Sequence, residues 1–352
     1  MRWPSRDTLL ILASGLSLGG LGAALAVWGN PANSGICISC FMENLAGSIG
    51  LHQNLRMAYL RPELAGFVAG ALISALAFRE MRPRAGSYPV LGFTLGVFLI
   101  VGSSVFMGCP IKMMLRFGAG DMTAVAGILG LAAGVWVGIR YYRAGLDLGA
   151  TRPGSGALQG ILVPSLVVLL LVLSLWVPGV LKSGTTGPAA QRAPLALALA
   201  SGLLIGVLAQ RSRFCVTGSF TNLFMARDWS LARGLGALML GAVALNLATG
   251  RLNVGLLDQP GSNPDHLWNF LAMALVGFAS VLAGGCPFRQ LILAGEGSVD
   301  ASVIILGMVA GGGIVQQWGI ASTSAGPTGY GKAAVLGGLA LCFAVVRFHR
   351  RS

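Results

Sequence analysis

Apolar positions in this chain neither alternate nor keep to one helical stripe. They come in unbroken runs of roughly 18 or more residues, each long enough to cross a bilayer core of about 30 Å. Ten such runs are expected as membrane-crossing helices, near 8–29, 62–78, 88–107, 120–142, 157–180, 193–210, 230–249, 266–283, 299–317 and 333–348. Four more apolar segments, near 35–50, 109–118, 213–226 and 286–296, are too short to cross and too apolar for plain loops. Backbone that stops at membrane depth is tolerated only where it is buried in protein or lines a cavity. These segments are therefore expected as re-entrant helices meeting at a central waist. Trp28, Trp176, Trp268 and Trp318 fall near span ends, where an interfacial belt belongs.

Composition agrees with an all-α polytopic membrane protein embedded in a lipid bilayer. Of 352 residues, 55% are hydrophobic and only 10% charged, against about 25% charged in soluble domains. The 53 glycines suit helices that approach closely in a membrane. A net charge of +13 raises nucleic acid as a partner, but no long basic stretch carries interleaved aromatics, and that class is set aside. The basic residues instead lie between the apolar runs, where they set topology. With the N-terminus inside, sixteen Lys and Arg fall on inner segments and eight on outer ones. Both termini are then expected in the cytoplasm of a multi-pass inner-membrane protein. The first apolar run is read as a retained span, because no clean cleavage site precedes Trp28.

The stretch "FMGCPIKMMLRFGAGD" from Phe106 has a near-copy, "LAGGCPFRQLILAGEG", from Leu282. At an offset of 177, Gly108, Cys109, Pro110 and Lys112 lie against Gly285, Cys286, Pro287 and Arg289. Gly118 and Gly120 match Gly295 and Gly297, while Gly130 and Gly134 match Gly307 and Gly311. A second match, at an offset of 178, sets Cys37 and Asn44 against Cys215 and Asn222. Two concordant matches indicate a duplication into residues 1–176 and 177–352. Five spans per half is an odd number, so the second half is expected upside down, an inverted repeat frequent among transporters.

Proline fits the first turn of a helix, where its missing N–H loses nothing. Cys109 and Cys286 thus mark the caps of two short helices whose exposed N–H groups and positive dipole ends form anion sites. Lys112 and Arg289 stand in the first turn, where the dipole disfavours a cation by about 0.3–1 kcal/mol. A bound anion between them accounts for that placement, and the field also favours thiolate character. Cys37, Cys109, Cys215 and Cys286 form a candidate line of thiols across the membrane. Gly108, Pro110, Gly285, Pro287, Asn44 and Asn222 are expected to support them. Cys342 has no repeat partner and is read as a core residue.

The rest of the polar inventory is less directive. "CISC" at Cys37–Cys40 has the form of a redox pair, but its repeat partner carries Gly218 in place of Cys40. Structural disulfides are not expected, because the cysteines lie in short buried segments. The three histidines are scattered, and neither a metal site nor any other cofactor is expected. Glu296 and Asp300 are candidates to hold Arg289 or to take part in proton coupling. No nucleotide-binding or hydrolase motif is present, so the chain is not read as an enzyme.

The segments "MGCPIKMMLRFGAGD", "RSRFCVTGSFTNLFMARD", "GGCPFRQLILAGEGSVDAS" and "GPTGYGKAAVLGGLA" resemble the YeeE/YedE sulfur-transport family over nearly the whole chain. "GCPFRQLILAGEG" looks closest to the YedE branch, associated with selenium; the YeeE branch imports thiosulfate. The resemblance implies an hourglass-shaped inner-membrane protein in which cysteines at the waist pass the anion along through weak S–H contacts. By motif those are Cys37, Cys109 and Cys286, with Cys215 added by the repeat. It also implies a separate cytosolic sulfur-carrier partner of the TusA type. The expected function is import of a small sulfur- or selenium-containing anion. A membrane thiol oxidoreductase or sulfurtransferase, or a docking subunit for the carrier, is the alternative.

Overall fold

The computed structural model describes residues 5–86, 88–149, 152–153, 157–177 and 179–349. Nearly all regular structure is helical, with one two-residue strand pair, Arg84–Ala85 against Arg152–Pro153. Fourteen α-helices follow one another in the described residues: α1 Arg6–Val27, α2 Ile38–Ser48, α3 Pro62–Ala77, α4 Pro89–Phe106, α5 Pro110–Gly118, α6 Ala124–Arg143, α7 Ala157–Trp176, α8 Leu195–Ser212, α9 Val216–Ala226, α10 Ser230–Ala248, α11 His266–Leu282, α12 Pro287–Gly295, α13 Val299–Gln317 and α14 Gly329–Phe348. The four short ones, α2, α5, α9 and α12, fall on the four segments expected to be re-entrant. Nine candidate spans among the described residues are long and apolar enough to cross a membrane. The tenth expected span corresponds to α7, whose segment Gly160–Trp176 is apolar but shorter. The protein is a polytopic membrane protein.

The long helices pack in matched pairs. α1 lies along α10 and α3 along α8; α4 lies along α13 and α6 along α11. At the centre, α1 meets α8 and α4 meets α11. Small residues make these approaches possible. A Cβ at Gly134 would run into the Ala274 carbonyl of α11, and one at Gly307 into the Phe93 carbonyl of α4. The short helices dock on this frame, α5 against α10 and α6, α12 against α3 and α13. Each leaves through a glycine that must turn left-handed, Gly120 at φ +98° and Gly297 at φ +91°.

Contacts at the helix ends define two faces. The Arg251 guanidinium donates to the Ala26 carbonyl at 2.9 Å, joining the ends of α1 and α10. The exit of α5 meets the same place, with Asn253 N–H on the Ala119 carbonyl at 2.9 Å. Arg143, at the last turn of α6, donates to the Phe224 and Met225 carbonyls of α9 at 2.7 and 3.1 Å. α6 starts just beyond α5 and has 20 residues, or about 30 Å of length. The exits of α5 and α9 therefore lie at opposite ends of the bundle. We call them the near and far faces. The exit of α12 is also on the far face, where Glu296 accepts the Arg82 N–H at 2.7 Å beyond the end of α3.

Three of the basic residues assigned to outer segments are in fact buried: Arg61, Lys112 and Arg116. Arg116 is fixed at the end of α5 by Asp121 at 2.6 Å, with neither side chain exposed. It also donates to the Phe106 carbonyl at 3.0 Å and to Thr123 Oγ1 at 2.7 Å. Asp121 in turn accepts from the Thr123 N–H at 2.9 Å. The charge count placed Arg116 on an outer segment, whereas the turn at Gly118–Gly120 folds it back into the bundle.

Removing one partner of such a pair leaves a charge in low dielectric, at a cost of roughly 3–5 kcal/mol. Asp121→Ala is expected to lower the thermal midpoint in detergent markedly, with Asp121→Asn in between. A D121A melting curve that superimposes on the parent's rules out this anchor for α5.

Candidate functional site

A helix start leaves backbone N–H groups without partners, usually served by Ser, Thr, Asp or Asn at the N-cap. Here each of the four short helices begins on cysteine instead: Cys37 for α2, Cys109 for α5, Cys215 for α9 and Cys286 for α12. All four are buried in one core cluster. Their sulfurs take over part of the capping. Cys37 Sγ accepts the Cys40 N–H at 3.3 Å, and Cys109 Sγ accepts the Ile38 N–H at 3.2 Å. In the second half, Cys215 Sγ–H points at Cys286 Sγ over 3.4 Å, and Thr217 Oγ1 lies 3.2 Å from Cys215. Pro110 and Pro287 occupy the first turns of α5 and α12 as expected.

The structure gives Gly108 and Gly285 a reason that the sequence did not disclose. A Cβ at Gly108 would lie 2.8 Å from Lys112 Cδ, and one at Gly285 would lie 2.8 Å from Arg289 Cγ. Each glycine leaves room for the cation's aliphatic stem to fold back over the helix start.

The two cations then differ. Arg289 pairs with Glu296 at 3.2 Å. Asp300, the other candidate partner, instead accepts the Gly86 N–H at 2.5 Å. Lys112 is only 5% exposed and has no ion pair or hydrogen bond among the described residues. It lines a cavity of about 830 Å³ on the near face, together with Gly108, Cys40, Glu43 and Arg56. Glu43 is turned aside by Ser104 Oγ–H, which donates to Oε1 at 2.6 Å, and by the Gln316 amide on Oε2.

Asn44 supports this chamber, donating to the Met57 carbonyl at 2.7 Å and accepting from Arg61 Nε at 3.1 Å. Arg61 also donates to Asn30 Oδ1 at 3.1 Å and to the Pro188 and Gln191 carbonyls at 2.6 and 2.9 Å. Neither Arg61 nor Ser104 was singled out from sequence. Asn222 does not reach the site: it is half-buried near the far-face end of α9, 3.4 Å from Asp228. Cys342, buried in α14, also stays apart from the four caps.

The expectation of no disulfide fails at one place. Cys37 and Cys40 are bonded, with Cα atoms 5.3 Å apart. The physical reason is local. An N-cap residue and the third helical residue come within the usual Cα range for a disulfide, about 4.4–6.8 Å. Burial of the segment does not prevent this. Cys37 consequently carries no S–H, and Cys109, Cys215, Cys286 and Cys342 are the free cysteines.

A short cationic chamber leading to thiol-capped helix starts invites comparison with known transporters. Residues 211–344 match the family described as sulphur transport. This stretch takes in three of the four segments that carried the YeeE/YedE resemblance. The chain is 28% identical over 111 residues to the thiosulfate transporter TsuA of Escherichia coli strain K12, covering 30% of each protein. It is 27% identical over 128 residues to the probable transporter YedE of the same organism, covering 35% of this chain and 30% of that one. The YedE of Salmonella typhimurium is 28% identical over the same length and shares. The matched part is thus 30% of each relative's own length.

Of the six cysteines, denatured but unreduced protein is expected to take four alkyl groups, leaving Cys37 and Cys40 unmodified. Prior reduction adds two. Peptide mass mapping checks this, and alkylation of Cys40 without reductant contradicts the bond.

Proposed function

We propose that this protein is an inner-membrane importer of a small sulfur- or selenium-containing anion, thiosulfate being the substrate to test first. One observation carries the reading: a buried, unpartnered lysine at the floor of a near-face chamber, beside the start of α5. An anion that enters meets Lys112 and the positive end of α5 together, and these offset the cost of its desolvation. Cys109 is the first thiol below. Cys286 and Cys215 cap the helices that start from the other side. Thiol contacts are weak, which suits an anion that must be released again. The name of TsuA points to thiosulfate for that relative, and the same chemistry fits the soft sulfur groups here.

The proposal includes the topology. Residues 1–176 and 177–352 are taken as two inverted halves, each with five spans and two re-entrant helices. The matched pairings of α1 with α10 and α3 with α8, and of α4 with α13 and α6 with α11, support it. So do the exits of α5 and α9 at opposite faces. With both termini in the cytoplasm, the chamber faces outward and Arg289 lies toward the cytoplasm. A sulfur-carrier protein of the TusA type is the expected acceptor there. Arg289 is held by Glu296, so the second cationic station is closed until that pair parts.

In proteoliposomes, thiosulfate uptake is expected to exceed sulfate uptake at least tenfold, because sulfate offers no soft terminal sulfur. Lys112→Met is expected to lower thiosulfate uptake at least tenfold. Joint Cys109→Ala and Cys286→Ala replacement is expected to abolish it. Uptake that is unchanged in both variants sinks the proposed path.

A further inference from the structure

The waist holds two cysteine pairs in different oxidation states. Toward the near face, Cys37 and Cys40 are joined. In the second half, Cys215 and Cys286 are in thiol contact at 3.4 Å without a bond. Between them stands a free thiol, Cys109. Its sulfur takes the N–H of Ile38, the residue next to Cys37, at 3.2 Å. Its helix α5 touches α9, which Cys215 caps, and α12 touches α2. All five cysteines sit in the first turns of short helices whose starts converge. A disulfide, an intervening thiol and a dithiol make up a thiol–disulfide exchange chain.

We propose that this protein also carries reducing equivalents across the membrane, from a dithiol reductant at the far face to a two-electron acceptor such as a disulfide at the near face. The internal steps balance. Cys109 thiolate attacks Cys37 Sγ, the Cys37–Cys40 bond breaks, and Cys40 leaves as thiolate. Cys286 thiolate attacks Cys109 Sγ and releases Cys37. Cys215 thiolate then attacks Cys286 Sγ and releases Cys109. The sum is one disulfide lost at Cys37–Cys40 and one gained at Cys215–Cys286. Two electrons and two protons have crossed the waist, and Cys109 is regenerated. The far-face reductant returns Cys215–Cys286 to the dithiol, and the near-face acceptor reoxidises Cys37 and Cys40.

The ends of this chain face the right places. Cys40 lines the near-face chamber, so a partner on that side reaches it. Cys215 and Cys286 each lie two residues from an exposed position, Arg213 and Gly284. The bond itself has little structural purpose. It closes a loop with a sequence separation of 3, and the shortest loops gain least from cross-linking. Its absence from the second half, where Gly218 stands in the Cys40 position, separates donor from acceptor. The inference shares the two-face geometry with the anion reading but does not depend on the anion.

The test uses proteoliposomes with TCEP trapped inside and none outside. A membrane-impermeant maleimide is added outside, and modification of Cys40 is read by peptide mass spectrometry. Only molecules with the chamber outward expose Cys40 to the label, and their far face sees the trapped reductant. In vesicles first treated with a dithiol oxidant such as diamide, which closes Cys215–Cys286, and then freed of it, trapped TCEP is expected to raise Cys40 labelling at least tenfold over vesicles without it. In Cys215→Ser, Cys286→Ser and Cys109→Ser the rise is expected to vanish. TCEP added outside is expected to restore labelling in every variant, which establishes that each is folded with a reducible bond. No rise in the parent overturns the proposal, and so does an equal rise in C286S. Because labelling is read rather than uptake, the two readings fail separately. A chain that exchanges thiols but imports no thiosulfate loses only the anion reading. One that imports but does not exchange loses only this one.

Discussion

A helix that starts inside a membrane protein has N–H groups that water cannot reach. This fold contains four such starts, and much of its local chemistry answers that constraint. Pro110 and Pro287 remove one N–H from each of two helices. Cysteine sulfurs accept others, at Ile38 and Cys40. Sulfur is a weak acceptor, so these helix ends keep much of their positive field. A strong cap such as aspartate would cancel that field, and a large side chain would block the space in front of it. Cysteine at the cap is thus a compromise between backbone satisfaction and an electropositive helix start.

The same constraint explains the residues around the caps. A cation in the first helical turn opposes the dipole, and two solutions to that conflict coexist in one chain. In the second half, Arg289 is neutralised by Glu296 at 3.2 Å. In the first half, Glu43 is occupied by Ser104 and Gln316, so Lys112 is left to the chamber. Similar motifs therefore yield one open and one closed charge. The cysteines differ in the same way, with a disulfide in one half and a dithiol in the other. Two similar motifs with different local chemistry make the two faces of the molecule unlike, which neither motif alone could do.

Much of this architecture was legible in sequence because bilayer length and glycine spacing are one-dimensional signals. The ten apolar runs coincide with long helices, and the four short segments with short ones. The paired glycines sit at helix crossings and turns. What was not legible is contact between distant segments. Arg61 looks like an ordinary basic residue before a span, yet it is buried and bonded to Asn30, Asn44 and two carbonyls near residue 190. Asn44 and Asn222 match in sequence, but Asn44 accepts from Arg61 whereas Asn222 donates to Asp228. The Cys37–Cys40 bond was set aside on the ground of burial, although its formation depends on local N-cap geometry.

These misses have a common cause. Repeat alignment transfers a position on the backbone faithfully, since helix starts and glycine turns depend on neighbours in sequence. It transfers a side chain's partner poorly, since that partner comes from another helix and has diverged on its own. Lys112 and Arg289 make the distinction concrete. Both stems fold over a glycine four residues before the cation, Gly108 and Gly285, and this part of the match holds. What each cation then meets is set by Glu296 in one half and by an open chamber in the other. Which charge is paired and which is left open are tertiary properties, set by helices that the sequence match does not align.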